Sequence, residues 1–491
     1  MRKKLLSLLI LLMILFVSTL SDHSLRNFSQ VTVAKASSPP PWTPWNVSGE
    51  QKLVAICTEF SDVIHTVDSQ TIKNRLNNIT KYFSDISFGR ICLNITFYGD
   101  HWERLNNTMA YYGNGSYNQD NRGYQFIEDS VKAWDRYVNF SNYDHLLVIH
   151  AGEDQSSNEN DTELLWRQGY YGFGHSGKVS VMGTFASYSF WGKSYDSEFE
   201  EWGLIAHEIG HDLGLPDLYF ENETLSYYPL SLMAGGDRNG NPSGTIPSSL
   251  DGFSMYLLGL IIPEQICLNS TKDIFTMTAR GLDSATLLKI PLTESQYYLL
   301  EIREKAGYDS AAVDSPSLVF WHVDEMRPSK NGTAVVGNNG IVTEGKIYSD
   351  TATSIYFKFI SFNQTSHIAK VALSTEMFFV ILDLPESVQV FSPTKGTIKV
   401  YDLNNNPVGD FNVNVSIGNK QIQVITNSNG EANLDLGTLE EGLNIIQVHS
   451  PHLLFGETQE TIKVFFPWDY VILSVIAFLV GVVVSMLFVK R

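Results

Sequence analysis

Cysteine is scarce in this chain. Three in 491 residues, Cys57, Cys92 and Cys267, cannot make a disulfide framework. One bridge is open, between Cys57 and Cys92 if they lie on neighbouring strands, and three buried free thiols is the equal alternative. Basic charge is short as well: 34 Lys and Arg stand against 53 Asp and Glu, a formal net charge of −19. No local basic cluster offsets it, which argues against nucleic acid or anionic headgroups as partners. Charged residues reach only 18% while hydrophobic ones make up 43%, a balance that excludes an intrinsically disordered chain. There is neither an internal repeat nor a heptad pattern. The length leaves room for two to four ordinary domains.

Long apolar runs are present only at the two ends. Arg2, Lys3 and Lys4 precede an apolar stretch from Leu5 to Leu20, the pattern of a secretory signal peptide over residues 1–21. At the other end Val471 to Val489 carries no charge. Trp468 and Tyr470 precede it and Lys490-Arg491 follow, so the expectation is a transmembrane helix over 470–489. That places the bulk of the chain outside the cell in a single-pass membrane setting, with an archaeal surface weakly favoured. From Asn46 onward, N-x-S/T sequons at Asn46, Asn78, Asn94, Asn106, Asn114, Asn139, Asn160, Asn222, Asn269, Asn331, Asn363 and Asn414 suggest a glycosylated exterior.

The chemistry concentrates in the run His207-Glu208-Ile209-Gly210-His211-Asp212-Leu213-Gly214-Leu215-Pro216-Asp217-Leu218-Tyr219. On a helix, residues four apart share a face, so His207 and His211 can converge on one metal. Glu208 lies beside them, where a carboxylate could take a proton from an activated water. Two imidazoles suit Zn²⁺, which brings the pKa of a bound water near 7. Gly214 can end the helix in the left-handed region, and Pro216 forbids its continuation. The chain can then return Asp217 as a third, oxygen ligand.

H-E-x-x-H-x-x-G-x-x-D resembles the metzincin clan of zinc peptidases, and H-E-I-G-H-D-L-G-L-P-D-L-Y is most similar to the immune inhibitor A family of secreted metallopeptidases. The resemblance implies that His207, His211 and Asp217 hold one catalytic zinc and that Glu208 is the general base. Phe220 stands where that family often has an acidic residue, so Ca²⁺ remains an option without a location. The segments around Lys52–Phe60, Tyr82–Gly89 and Tyr143–Gly152 resemble the start of the same catalytic domain. Met233, in Y-P-L-S-L-M-A-G-G, is similar in place and setting to the methionine turn that floors metzincin sites. Members are commonly made with an N-terminal propeptide, and no segment here is long enough to be one.

Local patterns fill in the rest. Residues 37–47, Pro-rich, read as an extended linker. Lys52–Phe60 reads as a buried strand and Ser69–Phe83 as a helix capped by Ser69, with Ile72, Leu76, Ile79 and Phe83 on its inner face. Ile91–Tyr98 and Tyr143–His150 read as strands, Gly123–Asn139 and Pro247–Ile261 as helices, and Lys178–Met182 as an edge strand. His101, His150 and His175 read as structural or solvated. His322, Asp324 and Glu325 could suggest a second metal site, but strand alternation sends Glu325 to the opposite face. The expected fold is therefore an α/β (α+β) metzincin-like catalytic domain over 48–268. A β-rich domain over 269–385 follows, then an immunoglobulin-like or carboxypeptidase-regulatory-like β-sandwich over 387–466 and the C-terminal transmembrane helix. The expected function is that of a membrane-anchored extracellular zinc endopeptidase acting on proteins or peptides. The alternative is an inactive peptidase-like adhesion or scaffold protein. Oligomeric state cannot be read from the sequence.

Overall fold

The computed structural model describes residues 47–115, 120–155, 161, 163–171, 178–218, 229–266, 273–281, 285–325, 335–350 and 353–489. Its N-terminal half is built on a five-stranded sheet. β1 (Gly49–Glu59) is apolar and buried along most of its length because it lies between two parallel neighbours, β2 (Ile91–Arg104) and β3 (His145–His150). α1 (Ser69–Ile86) crosses over from β1 to β2, and buries Ile72, Leu76, Ile79, Tyr82, Phe83 and Ile86 on one face. Its cap is Asp68, whose side chain accepts from the Thr71 amide, rather than the expected Ser69; the carboxylate one position earlier reaches the free amides first. A single turn, α2 (Met109–Tyr112), and α3 (Gly123–Trp134) lie between β2 and β3 in the chain.

The sheet continues outward through β4 (Gln168–Tyr171) and, later in the chain, through β7 (Gly192–Ser197), in the order β2-β1-β3-β7-β4. β7 runs parallel to β3, but β4 runs antiparallel to β7 and forms the edge. Between them in sequence, β5 (Val179–Met182) and β6 (Ser187–Phe190) pair only with each other. The expected edge strand at Lys178–Met182 is thus one arm of a separate hairpin. α4 (Trp202–Asp212) packs on the sheet, and α5 (Gly252–Leu257), capped by Asp251, is a shorter helix than the expected Pro247–Ile261.

Cys57 and Cys92 are both free thiols, Cys57 buried and Cys92 exposed. Register explains why they do not bridge. Cys92 sits opposite Glu50, seven residues before Cys57, which at about 3.3 Å per residue is roughly 23 Å along the strand. Cys267 lies outside the described residues.

Beyond α5 the chain is almost all strand. One five-stranded sheet contains Gln296–Arg303 and Ser317–Asp324, and a four-stranded sheet contains Ile355–Asn363 and Ile368–Ser374. Leu287, Tyr297, Leu299, Val319 and Trp321 belong to the same apolar core as Ile205, Met233 and Phe253, so the core runs across residue 268 without a break. The following sandwich has sheets of four and five strands around Val380, Ile398, Val413, Leu434 and Ile462, and it takes its first strand from Met377–Asp383.

Two parts of the expected fold class are corrected. Strands make up 42% and helices 21%, so the protein is mainly β: the α/β arrangement is confined to the first half, and the two β-rich regions outweigh it. The C-terminal segment does form a helix, α6 (Trp468–Val489), but among the described residues no helix is long and apolar enough to cross a membrane. The expected transmembrane helix over 470–489 is not upheld.

Candidate metal centre

α4 presents the H-E-x-x-H residues from a helix buried on every side. A helix of this kind needs apolar lead-in residues, and Leu204, Ile205 and Ala206 supply them. The far side is fixed to the sheet: Asp212 accepts from Ser194 Oγ at 3.0 Å, and Gly192 of β7 lies so near that a Cβ there would come within 2.2 Å of the Asp212 Cα. Burial pushes the Asp212 carboxyl well up from its ordinary range. The helix ends where expected. Gly214 adopts φ +94°, its amide donates to the His211 carbonyl, and the Leu215 amide donates to Gly210.

That turn brings Asp217 back. Its Oδ1 lies 3.1 Å from His207 Nε2 and 3.3 Å from His211 Nε2, and all three donor atoms fall within 4.8 Å of one another. The other ring nitrogens are committed. His207 Nδ1 lies 2.8 Å from the Leu232 carbonyl and His211 Nδ1 lies 2.8 Å from the Leu215 carbonyl. A carbonyl can only accept, so each Nδ1 carries a proton and each Nε2 faces the shared point, where it can bind an ion as the neutral imidazole. Tetrahedral zinc with bonds of about 2.0–2.1 Å puts neighbouring donors roughly 3.3 Å apart, so the separations from Asp217 to the two rings fit that ion. The charges are consistent with a cation site. Burial would raise the Asp217 carboxyl, but the two imidazoles overcome it and hold that carboxyl far below its ordinary range. Burial opposes the charge on His211, yet Asp217 pushes it up to about 9.

Glu208 is buried beside this group, and its pKa is raised: burial outweighs the lowering by His207, His211 and Arg167. Arg167 Nε stands 3.4 Å from Glu208 Oε1, and Arg167 Nη2 donates to Asp237 Oδ2 at 2.9 Å. Neither Arg167 nor Asp237 belongs to a recognisable motif. The only sequence signal is a lone arginine directly after the apolar stretch Leu164-Leu165-Trp166.

Met233 is fully buried under the helix, and a Cβ on Gly210 would lie 2.5 Å from its Sδ. The Leu218 amide donates to the Met233 carbonyl at 2.8 Å, so the same turn carries the carbonyl that orients His207 and holds the segment that delivers Asp217. Ser231 links the turn onward, donating to Asp251 at the cap of α5. The edge strand β4 passes on the other side, where a Cβ on Gly169 would come within 2.9 Å of His211 Cβ and 3.3 Å of Glu208 Oε2.

The structure therefore gathers His207, His211, Asp217, Glu208 and Met233 at one place. Among the described residues no other group of three His, Cys, Asp or Glu side chains is close enough to hold a metal, which leaves His101, His150 and the His322 strand outside any second site. His101 pairs with Glu103 at 2.6 Å, and His150 is buried with Nδ1 against the Ala151 carbonyl. His175, Tyr219 and Phe220 lie outside the described residues.

Comparison with protein families points to the same region. Residues 140–258 match the family model described as immune inhibitor A peptidase M6, catalytic domain. The pre-pro-metalloprotease PrtV of Vibrio cholerae serotype O1 is 27% identical over 195 residues, 32% of this chain and 21% of that protein. Immune inhibitor A of Bacillus thuringiensis subsp. alesti is 35% identical over 123 residues, 22% of this chain and 17% of that protein. The alignments thus span about a fifth of the length of these relatives. Among solved structures, an Escherichia coli alpha-2-macroglobulin activated by porcine elastase aligns at 12% identity over 42% of this chain and 22% of that one. Its TM-score of 0.16 carries no argument.

Proposed function

We propose that this chain, which carries an immune inhibitor A-like metallopeptidase domain, is a zinc endopeptidase that hydrolyses peptide bonds in protein or peptide substrates. The observation that carries the reading is the convergence of two imidazole Nε2 atoms, both with Nδ1 held by a backbone carbonyl, on one oxygen of Asp217. His207, His211 and Asp217 would hold the ion. A zinc ion bound there supplies Lewis acidity and lowers the pKa of a water toward 7.

The protein residues do the rest. Glu208 would take a proton from water as it attacks the scissile carbonyl carbon, then deliver it to the nitrogen of the leaving amine. Its burial supports this role, because a carboxylate with a raised pKa is a better proton acceptor than a solvated one. Met233 packs below the ligands and keeps the helix and the Asp217 segment in register. β4 offers an antiparallel edge beside Glu208, where an extended peptide can add as a further strand.

An extracellular setting is part of the proposal. Asn78, Asn94, Asn106, Asn114, Asn139, Asn363 and Asn414, those of the sequon asparagines that are described, are all exposed, as glycan acceptors must be. The reading is tested by metal analysis and cleavage of an unfolded protein by the purified chain. It expects one zinc per chain and cleavage that a chelator abolishes and added zinc restores. Zinc bound without any cleavage would instead favour a peptidase-like scaffold.

A further inference from the structure

Glu208 must hold one geometry while it accepts a proton from water and returns it to an amine, yet a glutamate side chain has three torsions. The surroundings restrict it. Oε2 is bounded by the backbone of β4 at Gly169, where there is no room for a side chain. Oε1 faces Arg167 Nε at 3.4 Å. Arg167 is itself buried and stands at the entry to β4, and its Nη2 is held by Asp237 at 2.9 Å. Asp237 belongs to the Gly235–Arg238 turn that follows Met233. The carbonyl of Asp237 presses on α4 itself, since a Cβ on Gly203 would approach it to 2.4 Å. A closed brace results: α4 bears Glu208, Glu208 meets Arg167, Arg167 is fixed by Asp237, and Asp237 returns to α4.

We propose that Arg167 is a positioning residue for the base, a guanidinium strut anchored on Asp237 that fixes the Glu208 carboxylate against the reacting water. The inference rests on the metallopeptidase reading above. The planar fork matters more than the charge, because Nε and Nη2 address two different carboxylates from one rigid edge. The rival role is structural: Arg167 would only neutralise buried Asp237, and Glu208 would hold its place unaided.

The test uses the full chain loaded with zinc, comparing wild type, Arg167→Ala and Arg167→Lys for zinc content, thermal midpoint, kcat and KM. Arg167→Ala is expected to keep one zinc and a KM within about twofold while kcat falls about 10- to 100-fold. Millimolar methylguanidinium should recover part of that kcat in Arg167→Ala and none in Glu208→Gln. Arg167→Lys retains a cation for Asp237 and serves if the alanine variant does not fold. It too should lose kcat at unchanged zinc content, since an ammonium cannot reproduce the two-point contact.

Wild-type kcat in either folded, zinc-loaded variant overturns the inference. So does a loss of kcat that only follows loss of zinc and shows no rescue. A wild-type chain that binds zinc and cleaves nothing overturns the metallopeptidase reading itself and the inference with it. A cleaving wild type beside fully active Arg167 variants overturns the inference alone.

Discussion

Gly210 lies between the two histidines on α4, and the lack of a side chain there is what lets Met233 lie against the helix. Two effects compete in Gly210→Ala. Helix propensity favours alanine by about 1 kcal/mol, while the new methyl would sit 2.5 Å from a buried sulfur that has no free space to enter. Overpacking of this kind typically costs about 1–3 kcal/mol, so it wins. The variant is expected to unfold at lower denaturant concentration than wild type and to bind zinc more weakly, because the turn that moves also carries the Leu232 carbonyl on His207. Denaturant unfolding with zinc titration checks both; an unchanged midpoint would mean that Met233 moves aside without cost.

The edge strand shows how much of an element can hang on one titrating group. Asp120 accepts the Trp166 amide at 3.1 and 3.2 Å and the Tyr195 hydroxyl, and so ties the chain entering β4 to β7. Burial raises its pKa to about 7, against the lowering by those donors. The folded value lies above the unfolded one of about 4, so the folded protein holds the proton more tightly. The contribution of Asp120 to stability is complete below about pH 4 and is lost progressively as pH rises toward 7. Asp120→Asn keeps an acceptor for both donors and carries no charge. Its thermal midpoint should exceed wild type at pH 8 and lose the advantage near pH 4; parallel pH profiles would remove Asp120 as the cause.

At this scale the sequence was readable wherever periodicity or a motif reports a local cause. The inner face of α1, the buried strands and the turn at Gly214 follow from spacing alone, and so do the positions of His207, His211 and Asp217. Arg167 and Asp237 are 70 residues apart and meet only because β4 folds back beside α4, which no local pattern encodes. The Cys57–Cys92 pairing failed for a related reason: strand neighbours were legible, but their register was not. At the C-terminus, hydropathy alone suggested a span, whereas among the described residues no helix is long and apolar enough to cross a membrane.

On the scale of the whole molecule, the region that carries the candidate metal centre does not end at a clean boundary. Glu301 accepts from Trp321 at 2.8 Å and from the Gly252 amide of α5 at 3.3 Å, Arg303 donates to the Leu250 carbonyl, and the Ser249 amide donates to Asp309. Burial alone would raise the Glu301 carboxyl; Arg303 and Arg280 hold it below its ordinary range. A chain ending at residue 268 would expose the shared apolar core and leave these α5 groups without partners, so it should not unfold cooperatively. One ending at residue 374 keeps both sheets and should fold and bind zinc; circular dichroism melts of the two decide the matter, and cooperative melting of the shorter one contradicts the shared core. The central claim rests on Glu208 beside a three-residue metal set. The most direct measurement is turnover of an unfolded protein substrate by the zinc-loaded full chain and its Glu208→Gln variant, with metal counted in both. The account predicts one zinc per chain in each and turnover at least about 10³-fold lower in the variant; equal turnover in the two, or cleavage by a chain that holds no zinc, would contradict it.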